Sequence, residues 1–407
     1  MAVAVLPAQL ADLERIAAIH HDAFRPSAIS RRIFADVKRD DQCTKMVARL
    51  AKCLDDPGSA LFKAVGGDDI VGFALWEVPK KAGEPEPDKD DKKKGSDRWP
   101  AGTNVALAES FFARLDLGIN TPHYHLSLLA VDPARQRSGA GSALLRWGSK
   151  KADDEGVECY LEATELAIPV YLRGQYEPFR EPIVAEEDPE LVCYPMRRPA
   201  LTIRPATLDD LPALAPVHRL AFWPTKVNLY SYSDVTPKAY ESHFIERFGK
   251  FIKQRDEDGA RYLITVATRG DKYLGYGFST YEVDEKERPA DSGEKRFWPE
   301  GANVRRAEEY LAGTLDKHKK DNLPFAHWSL AILSVHPDCQ GQGVGRRLVQ
   351  EVLDLGKRDG VPVTLESTEL GKPLYDKMGF VEFGESLRAK EDAEVELWPM
   401  RYDVSQD

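Results

Sequence analysis

Residues 330–345 read LAILSVHPDCQGQGVG and contain the strongest structural signal in the chain. They begin with Leu330–Val335, a continuous apolar run of strand length that is typical of a strand buried on both faces. The run breaks at a His-Pro pair, and Gly343 and Gly345 follow. Apolar residues after Gly345 recur at helical spacing, so the order is strand, glycine loop and helix.

A loop of this kind, at the start of a helix, is a binding site for anions. Its backbone N–H groups and the unpaired donors of the helix N-terminus point outward, and the helix dipole adds partial positive charge. Two other nucleotide motifs do not match. A Rossmann site requires G-x-G-x-x-G near the start of a βαβ unit, and a P-loop requires Gly-Lys-Ser/Thr. Here Gly345 is followed by Arg346-Arg347.

The chain contains an internal duplication. The strand and loop occur 204 residues earlier, where residues 126–141 read LSLLAVDPARQRSGAG. A W-P-x-G-x-N-V motif is also repeated, at Trp99–Val105 and Trp298–Val304. A period of about 200 residues indicates tandem domains rather than a solenoid. We predict domains at 1–198 and 199–407, and the short join leads us to expect an intramolecular pseudo-dimer.

Both copies have the same predicted order of elements. Amphipathic helices are predicted over 10–24 and 208–222, and strands around 60–78 and 261–283. In the first copy, Pro79–Arg98 combines Pro, Gly and dense mixed charge, which cannot support a core. We therefore expect a disordered loop there.

Composition excludes several classes of protein. Among 407 residues, 67 are acidic and 56 are basic, and the net charge of −11 opposes nonspecific binding to nucleic acid. No apolar run is long enough to span a membrane, and no basic segment precedes the short apolar start, so we expect a soluble cytoplasmic protein. Five scattered cysteines favour neither a disulfide scaffold nor a metal site.

The complete arrangement resembles the GNAT superfamily of acyl-CoA-dependent N-acetyltransferases, and is most similar to the puromycin N-acetyltransferase-like branch. The similarity is carried by Q-x-x-G-x-G after a V-x-P strand end, a later strand ending in Leu365-Glu366, and Tyr375-x-x-x-Gly379-Phe380. It implies the α/β class and two tandem GNAT folds. Each would have a mixed, mostly antiparallel twisted sheet flanked by helices, with a splayed central strand pair.

The resemblance also implies acetyl-CoA as cosubstrate and direct attack of an amine on its thioester, without a metal. Backbone N–H groups of the splayed strand would stabilise the oxyanion. The implied binding residues of the second copy are Leu333, Ser334, Val335, Gln340, Gly341, Gln342, Gly343, Val344, Gly345 and Arg346. Those of the first copy are Leu129, Ala130, Val131, Gln136, Arg137, Ser138, Gly139, Ala140, Gly141 and Ser142.

Proton transfer requires an acid and a base. Tyr375 and Tyr171 match the tyrosine of the family and are candidate donors to the leaving thiolate; the alternative is a tyrosine packed under the cofactor. Glu366 and Glu162 are candidate bases, with an edge or structural carboxylate as the alternative. His125 is a second candidate base in the first copy, because histidine exchanges protons near pH 7. The repeated His20 and His218 are interpreted as core residues.

The two copies differ in their motifs. The first has Arg137 and Ser138 within its loop, and its Gly174 is displaced relative to Gly379. We therefore expect the second copy to carry most of an N-acetyltransferase activity toward a small-molecule primary amine. Two alternatives remain. One copy is a noncatalytic partner that binds acyl-CoA or has a structural role, or the acceptor is a protein or peptide. The W-P-x-G-x-N-V motifs either anchor a loop or form an acceptor wall.

Overall fold

The computed structural model describes residues 3–79, 99–258, 262–284 and 297–404. The chain divides into two compact units, Met1–Leu201 and Thr202–Asp407. The disordered loop predicted at Pro79–Arg98 lies outside the described residues, apart from Pro79.

The described residues of the first unit, Met1–Leu201, form one eight-stranded sheet and six α-helices. Its strands are β1 (Val3–Pro7), β2 (Ser59–Gly66), β3 (Asp69–Glu77), β4 (His123–Val131), β5 (Glu158–Ala163), β6 (Glu177–Pro178), β7 (Ile183–Val184) and β8 (Val192–Arg198). Its helices are α1 (Leu13–Phe24), α2 (Ala28–Ile33), α3 (Arg39–Asp55), α4 (Val105–Arg114), α5 (Ala140–Glu155) and α6 (Ile168–Arg173). The strand order is β1-β2-β3-β4-β5-β8-β6, with β7 beside β8. Among the described strand pairs of this sheet, only β4 and β5 are parallel.

The second unit repeats this plan. Its strands are β9 (Leu201–Pro205), β10 (Tyr262–Arg269), β11 (Lys272–Glu282), β12 (His327–Val335), β13 (Val363–Ser367), β14 (Val381–Glu382), β15 (Leu387–Arg388) and β16 (Glu396–Tyr402). Its helices are α7 (Leu211–Phe222), α8 (Lys226–Tyr232), α9 (Pro237–Asp258), α10 (Val304–Ala307), α11 (Lys317–Asn322), α12 (Val344–Asp359) and α13 (Lys372–Lys377). A π-helical segment, Glu308–Asp316, joins α10 to α11. The parallel pair is β12 with β13.

Both sheets are covered by helices on both faces. In the first unit, Phe73 and Leu75 of β3 pack against α1 and α3. Ala74 and Trp76 point to the other face and pack against α5. Alternate side chains of a strand face opposite sides, so a strand covered on both sides must be apolar at every position. This explains the continuous buried run in β3. Two mixed α/β sheets with flanking helices confirm the predicted fold class.

The repeated W-P-x-G-x-N-V motif fixes the start of a helix in each unit. Gly301 has φ +90°, and a Cβ atom added to it would lie 2.6 Å from the carbonyl oxygen of Asp234. Asn303 then caps α10, because its side chain accepts a hydrogen bond from the N–H of Arg306. Gly102 and Asn104 do the same before α4. The motif therefore anchors a loop in both units.

Among the described residues, no helix is both long enough and apolar enough to span a membrane.

Candidate active site

The central parallel strands separate in each unit. In the second unit, β12 pairs with β13 only at Trp328–Val363 and Ser329–Thr364, although β12 continues to Val335. A bulge at Ala331 interrupts the pairing of β12 with β11. The first unit has the same separation after His125 and a bulge at Ser127. The predicted splayed pair is therefore confirmed, and it leaves one edge of the strand before each glycine loop without a strand partner.

The glycine loop of the second unit is shaped to bind an anion. Gly343 is the N-cap of α12, with φ +89°, and no side chain caps this helix end. Gly341 has φ +70°, and a Cβ atom added at either glycine would meet no atom within 4 Å. No side chain therefore occupies the first N–H groups of this 16-residue helix, as a diphosphate site requires.

Glutamine side chains hold the loop in shape. Gln340 Nε2 donates to the carbonyl oxygen of Val335 at 3.2 Å, and Gln342 Nε2 donates to that of Asp338 at 2.9 Å. Two predicted contact residues therefore also bind the loop backbone. The other predicted residues lie at the strand end, in the loop itself or in the first turn of the following helix of their unit. Their contacts with acetyl-CoA stay predictions.

The first unit keeps the loop shape with different residues. Gly139 caps α5 with φ +88°. Arg137 stands where the second unit has Gly341, and it adopts φ +61°. Left-handed backbone of this kind is unfavourable for a residue with a Cβ atom. The loop of the first unit is therefore retained under backbone strain.

The two candidate tyrosines are buried. Tyr375 in α13 and Tyr171 in α6 are each 7% exposed. Burial raises the pKa of both hydroxyls, so each phenol stays protonated. Helix α13 lies against the glycine loop, since a Cβ atom added at Gly345 would lie 3.3 Å from Leu374. Tyr375 is therefore held, protonated, in the helix that contacts the glycine loop, and its role as a proton donor stays a prediction.

In the turn after the tyrosine, as in the loop, the second unit has a glycine with positive φ where the first unit has another residue. Gly379 has φ +87°, whereas Gln175 at the equivalent position has φ +66°. Gly174 is a glycine for a different, steric reason, because a Cβ atom added to it would lie 2.7 Å from Leu145. Arg137 and Gln175 are the only non-glycine residues with positive φ in the described part of the chain. Both replace a glycine of the second unit.

In the first unit, His125 stands between two carboxylates. Its Nε2 lies 2.9 Å from Glu162, and its Nδ1 lies 3.6 Å from Glu77, which also accepts a hydrogen bond from Ser127. Burial alone would lower the pKa of His125, but the hydrogen bonds to Glu162 and Glu77 outweigh it and raise the pKa to about 10. The hydrogen bond from His125 lowers the pKa of Glu77 to about 2.

These shifts bear on the candidate base of the first unit. An imidazole with a pKa of about 10 is protonated at neutral pH and cannot accept a proton there. The structure thus favours an ion-pairing role for His125 over the expected proton exchange near pH 7. Glu162 is engaged by this cation, and Glu77 is a partner that sequence reasoning missed.

In the second unit, a lysine takes the place of the histidine. Ser329 stands at the position of His125, and Lys319 from α11 approaches Glu366 at 3.6 Å and Ser329 at 3.5 Å. Glu366 is largely buried, with 8% of its side chain exposed. The Lys319 contact was not predicted, because the segment that carries it has no counterpart at the same spacing in the first copy.

Glu366 opens into a cavity of about 680 Å³ in the second unit. Ala331 and Ile332, at and after the bulge of β12, line the same cavity, and so does Thr368. The helices contribute several aromatic side chains, among them Phe222, Tyr240, Phe244, Phe248 and Tyr310, and Trp298 adds another from the repeated motif. The cavity therefore joins the candidate base and the splayed strand to an aromatic wall.

Sequence reasoning did not find this wall. Its largest contribution comes from α9, where Tyr240, Phe244, Phe248 and Phe251 recur at helical spacing. That aromatic periodicity was the available signal. Trp298 of the repeated motif also lines the cavity, so in the second unit the motif both anchors the loop and contributes to the wall.

Two family matches cover this architecture. The acetyltransferase (GNAT) family matches residues 28–175, and the acetyltransferase (GNAT) domain matches residues 295–404. Each match includes a glycine loop and a candidate tyrosine. Both halves of the chain belong to the GNAT acetyltransferases. The protein is therefore a GNAT-type N-acetyltransferase with two tandem domains.

Solved acetyltransferase structures are similar to single halves of this GNAT chain. The PaiA N-acetyltransferase of Thermoplasma acidophilum, in complex with coenzyme A, is 15% identical with a TM-score of 0.31, covering 50% of this chain and 99% of its own. The mosquito arylalkylamine N-acetyltransferase like 5b is 17% identical with a TM-score of 0.36 and the same coverage. A histone acetyltransferase HPA2-related protein of Corynebacterium glutamicum is 23% identical with a TM-score of 0.33, covering 49% and 97%.

Proposed function

We propose that the second GNAT unit acetylates a primary amine of a small molecule with acetyl-CoA, as the resemblance to the puromycin N-acetyltransferase-like branch suggested. The supporting observation is the cavity of about 680 Å³ that contains Glu366 and the bulged part of β12. Pockets of about 300–1,000 Å³ suit small molecules, whereas a protein substrate needs an open groove.

The residues present fit acetyl-CoA. The uncapped N-terminus of α12 and the glycines at 341 and 343 offer backbone donors and open space for a diphosphate. The free edge of β12 offers backbone groups for an extended amide chain. When bound, acetyl-CoA supplies the activated acetyl group.

The protein residues then have separate roles. Glu366 accepts a proton or a hydrogen bond from the amine, and the ammonium group of Lys319 lies 3.6 Å from its carboxylate. The buried Tyr375, whose pKa is raised, is protonated before the reaction and donates its proton to the leaving sulfur. Backbone N–H groups of β12 stabilise the oxyanion.

The first unit is proposed to bind acyl-CoA with little turnover. Its loop keeps the uncapped helix end at Gly139. Its candidate base, however, is held by the His125 cation at 2.9 Å, and Arg137 strains the loop. This arrangement favours a binding or structural role.

The test measures acetyl-CoA-dependent thiol release over a panel of primary amines, with a peptide array in parallel. In the intact chain, Gly343→Asp should lower the rate at least about tenfold, because a carboxylate would repel the diphosphate. Gly360→Asp is the matched control. Gly360 ends the same helix with φ +66° and also has no atom within 4 Å of an added Cβ. Equal activity of both variants would refute the loop assignment, and acetylation of peptides alone would refute the small-molecule proposal.

A further inference from the structure

Three buried polar atoms around the cavity of the second unit lack a hydrogen-bond partner within the described residues. They are Asn228 Nδ2, Trp298 Nε1 and His243 Nδ1. Asn228 is only 5% exposed. The first two atoms can only donate, and a buried donor without an acceptor is costly. These atoms therefore indicate a ligand that brings oxygen acceptors into the cavity.

A chain of hydrogen bonds ends at Asn228. Tyr276 Oη lies 2.8 Å from His218 Nδ1, and His218 Nε2 lies 3.3 Å from Tyr240 Oη. Tyr240 Oη lies 2.9 Å from Asn228 Oδ1. The predicted core histidine is thus the centre of a polar network.

The direction of donation along these hydrogen bonds follows from Tyr276, at their buried end. Tyr276 is fully buried, and among the described residues its hydroxyl has only His218 Nδ1 as a partner, so it donates there. Burial lowers the pKa of His218 to about 3, so the neutral ring has one N–H, at Nε2, which donates to Tyr240. Tyr240 must then donate to the oxygen of Asn228.

This direction of donation fixes the orientation of the side-chain amide of Asn228. Its oxygen is occupied by Tyr240, and its NH₂ group is left for a ligand. The opposite direction would turn the amide around and leave the proton of Tyr276 buried without an acceptor. Tyr276 and His218 are therefore positioning residues for a donor at the cavity.

A cation accompanies this donor. Arg247 lines the cavity and has no carboxylate partner within the described ranges. Its guanidinium lies 5.8 Å from the ring centroid of Phe251. After burial, its charge is the next cause of the lowered pKa of His218, so it acts on the same network. An amide donor and a guanidinium that line the same cavity suit a carboxylate.

The first unit lacks the network. Only the histidine is kept, as His20, and its Nδ1 has no partner among the described residues. Phe73, Gln42 and Ser30 stand where the second unit has Tyr276, Tyr240 and Asn228. The oriented amide is therefore specific to the unit that carries the cavity.

We propose that the second unit selects an amine that also carries a carboxylate, recognised by the Asn228 amide and the Arg247 guanidinium, with an apolar or aromatic body. Phe244 and Phe248 of the cavity wall would contact that body. The inference rests on the proposed function, since the reacting amine is the one placed near Glu366.

The test is calorimetric titration of the full chain with phenylalanine and with 2-phenylethylamine, which differ by the carboxylate. Phenylalanine should bind at least about tenfold more tightly. Equal or weaker binding of phenylalanine would overturn the inference. As a second probe, 3-phenylpropionate should compete with phenylalanine, and failure to compete would also count against it.

Variants separate recognition from folding. Asn228→Asp keeps the acceptor for Tyr240 but replaces the donor with a negative charge, so the preference for phenylalanine should disappear. Ser30→Asp places the same charge at the equivalent position of the first unit and should leave the preference intact. Tyr276→Phe frees the amide to turn and should reduce the preference without weakening 2-phenylethylamine.

Measurement of acetyl-CoA-dependent thiol release distinguishes a failure of carboxylate recognition from a failure of the proposed acetyltransferase function. If amines are acetylated but a carboxylate gives no advantage, this inference fails and the proposed function stands. If no amine is acetylated, the proposed function fails, and the calorimetric preference still supports or overturns carboxylate recognition.

Discussion

Glu162 and Glu366 occupy equivalent positions but pair with different cations. His125 contacts Glu162 at 2.9 Å, whereas Lys319 contacts Glu366 at 3.6 Å from a separate helix. The first contact is a charge-assisted hydrogen bond, whereas the second is a longer ion pair to a carboxylate that also lines the cavity. This difference between single residues explains why we assign the base role to Glu366.

The ion pair of His125 makes the stability of the first unit depend on pH. Its pKa in the folded protein, about 10, lies above the ordinary value of 6.5. The pair is therefore fully stabilising below about pH 6.5, and this contribution is lost as the pH rises through 10. We expect His125→Ser to lower the unfolding midpoint most near pH 6–7, with the difference from wild type closing toward pH 10. A difference that stays constant over this range would contradict the pairing.

The left-handed backbone of Arg137 leads to a prediction about the stability of the first unit. Arg137→Gly should relieve a left-handed conformation that costs about 1–2 kcal/mol, less about 0.5–1 kcal/mol for the freedom of glycine in the unfolded chain. The net gain in the free energy of unfolding should lie between about zero and about 1.5 kcal/mol, measured with denaturant. Arg135→Gly is the control, since Arg135 lacks a positive φ and should lose stability. A loss in Arg137→Gly equal to that of the control would refute the strain.

At the scale of elements, the strand, loop and helix were predictable, and the cavity was not. The run at Leu330–Val335 and the spacing of Gly343 are local patterns, so the sequence alone identifies them. The aromatic face of α9 is also periodic, but only tertiary packing places it over the open end of the splayed strands. Similarly, the direction of the network at His218 depends on burial and on Tyr276, which lies 58 residues away.

The repeated helix-starting motif allows a test of close packing. Gly301→Ala combines a positive φ with a clash against the backbone of Asp234, and should cost about 2 kcal/mol or more in the free energy of unfolding. Gly341→Ala has a similar φ of +70° but open space, and should cost only about 1–2 kcal/mol. Chemical unfolding of both variants checks this, and an equal loss would mean that the contact with Asp234 contributes nothing.

At the scale of the whole molecule, duplication has left two unequal GNAT units. The second keeps Gly341 and Gly379 at the positive-φ positions and encloses a large cavity beside Glu366. The first keeps the fold and the open helix end while replacing both glycines. The duplication was visible in the sequence because its motifs are local. The proposed division of labour rests on the environments of Glu162 and Glu366, which depend on His125 and on the inserted segment bearing Lys319.

We propose that the glycine loop of the second unit binds the acetyl-CoA used in catalysis. The decisive experiment is calorimetric titration of the intact chain with acetyl-CoA, with Gly343→Asp and Gly139→Asp as a matched pair. We expect Gly343→Asp to remove a binding site together with thiol release, whereas Gly139→Asp should leave thiol release in place. No binding by wild type, or undiminished binding and turnover in Gly343→Asp, would contradict it.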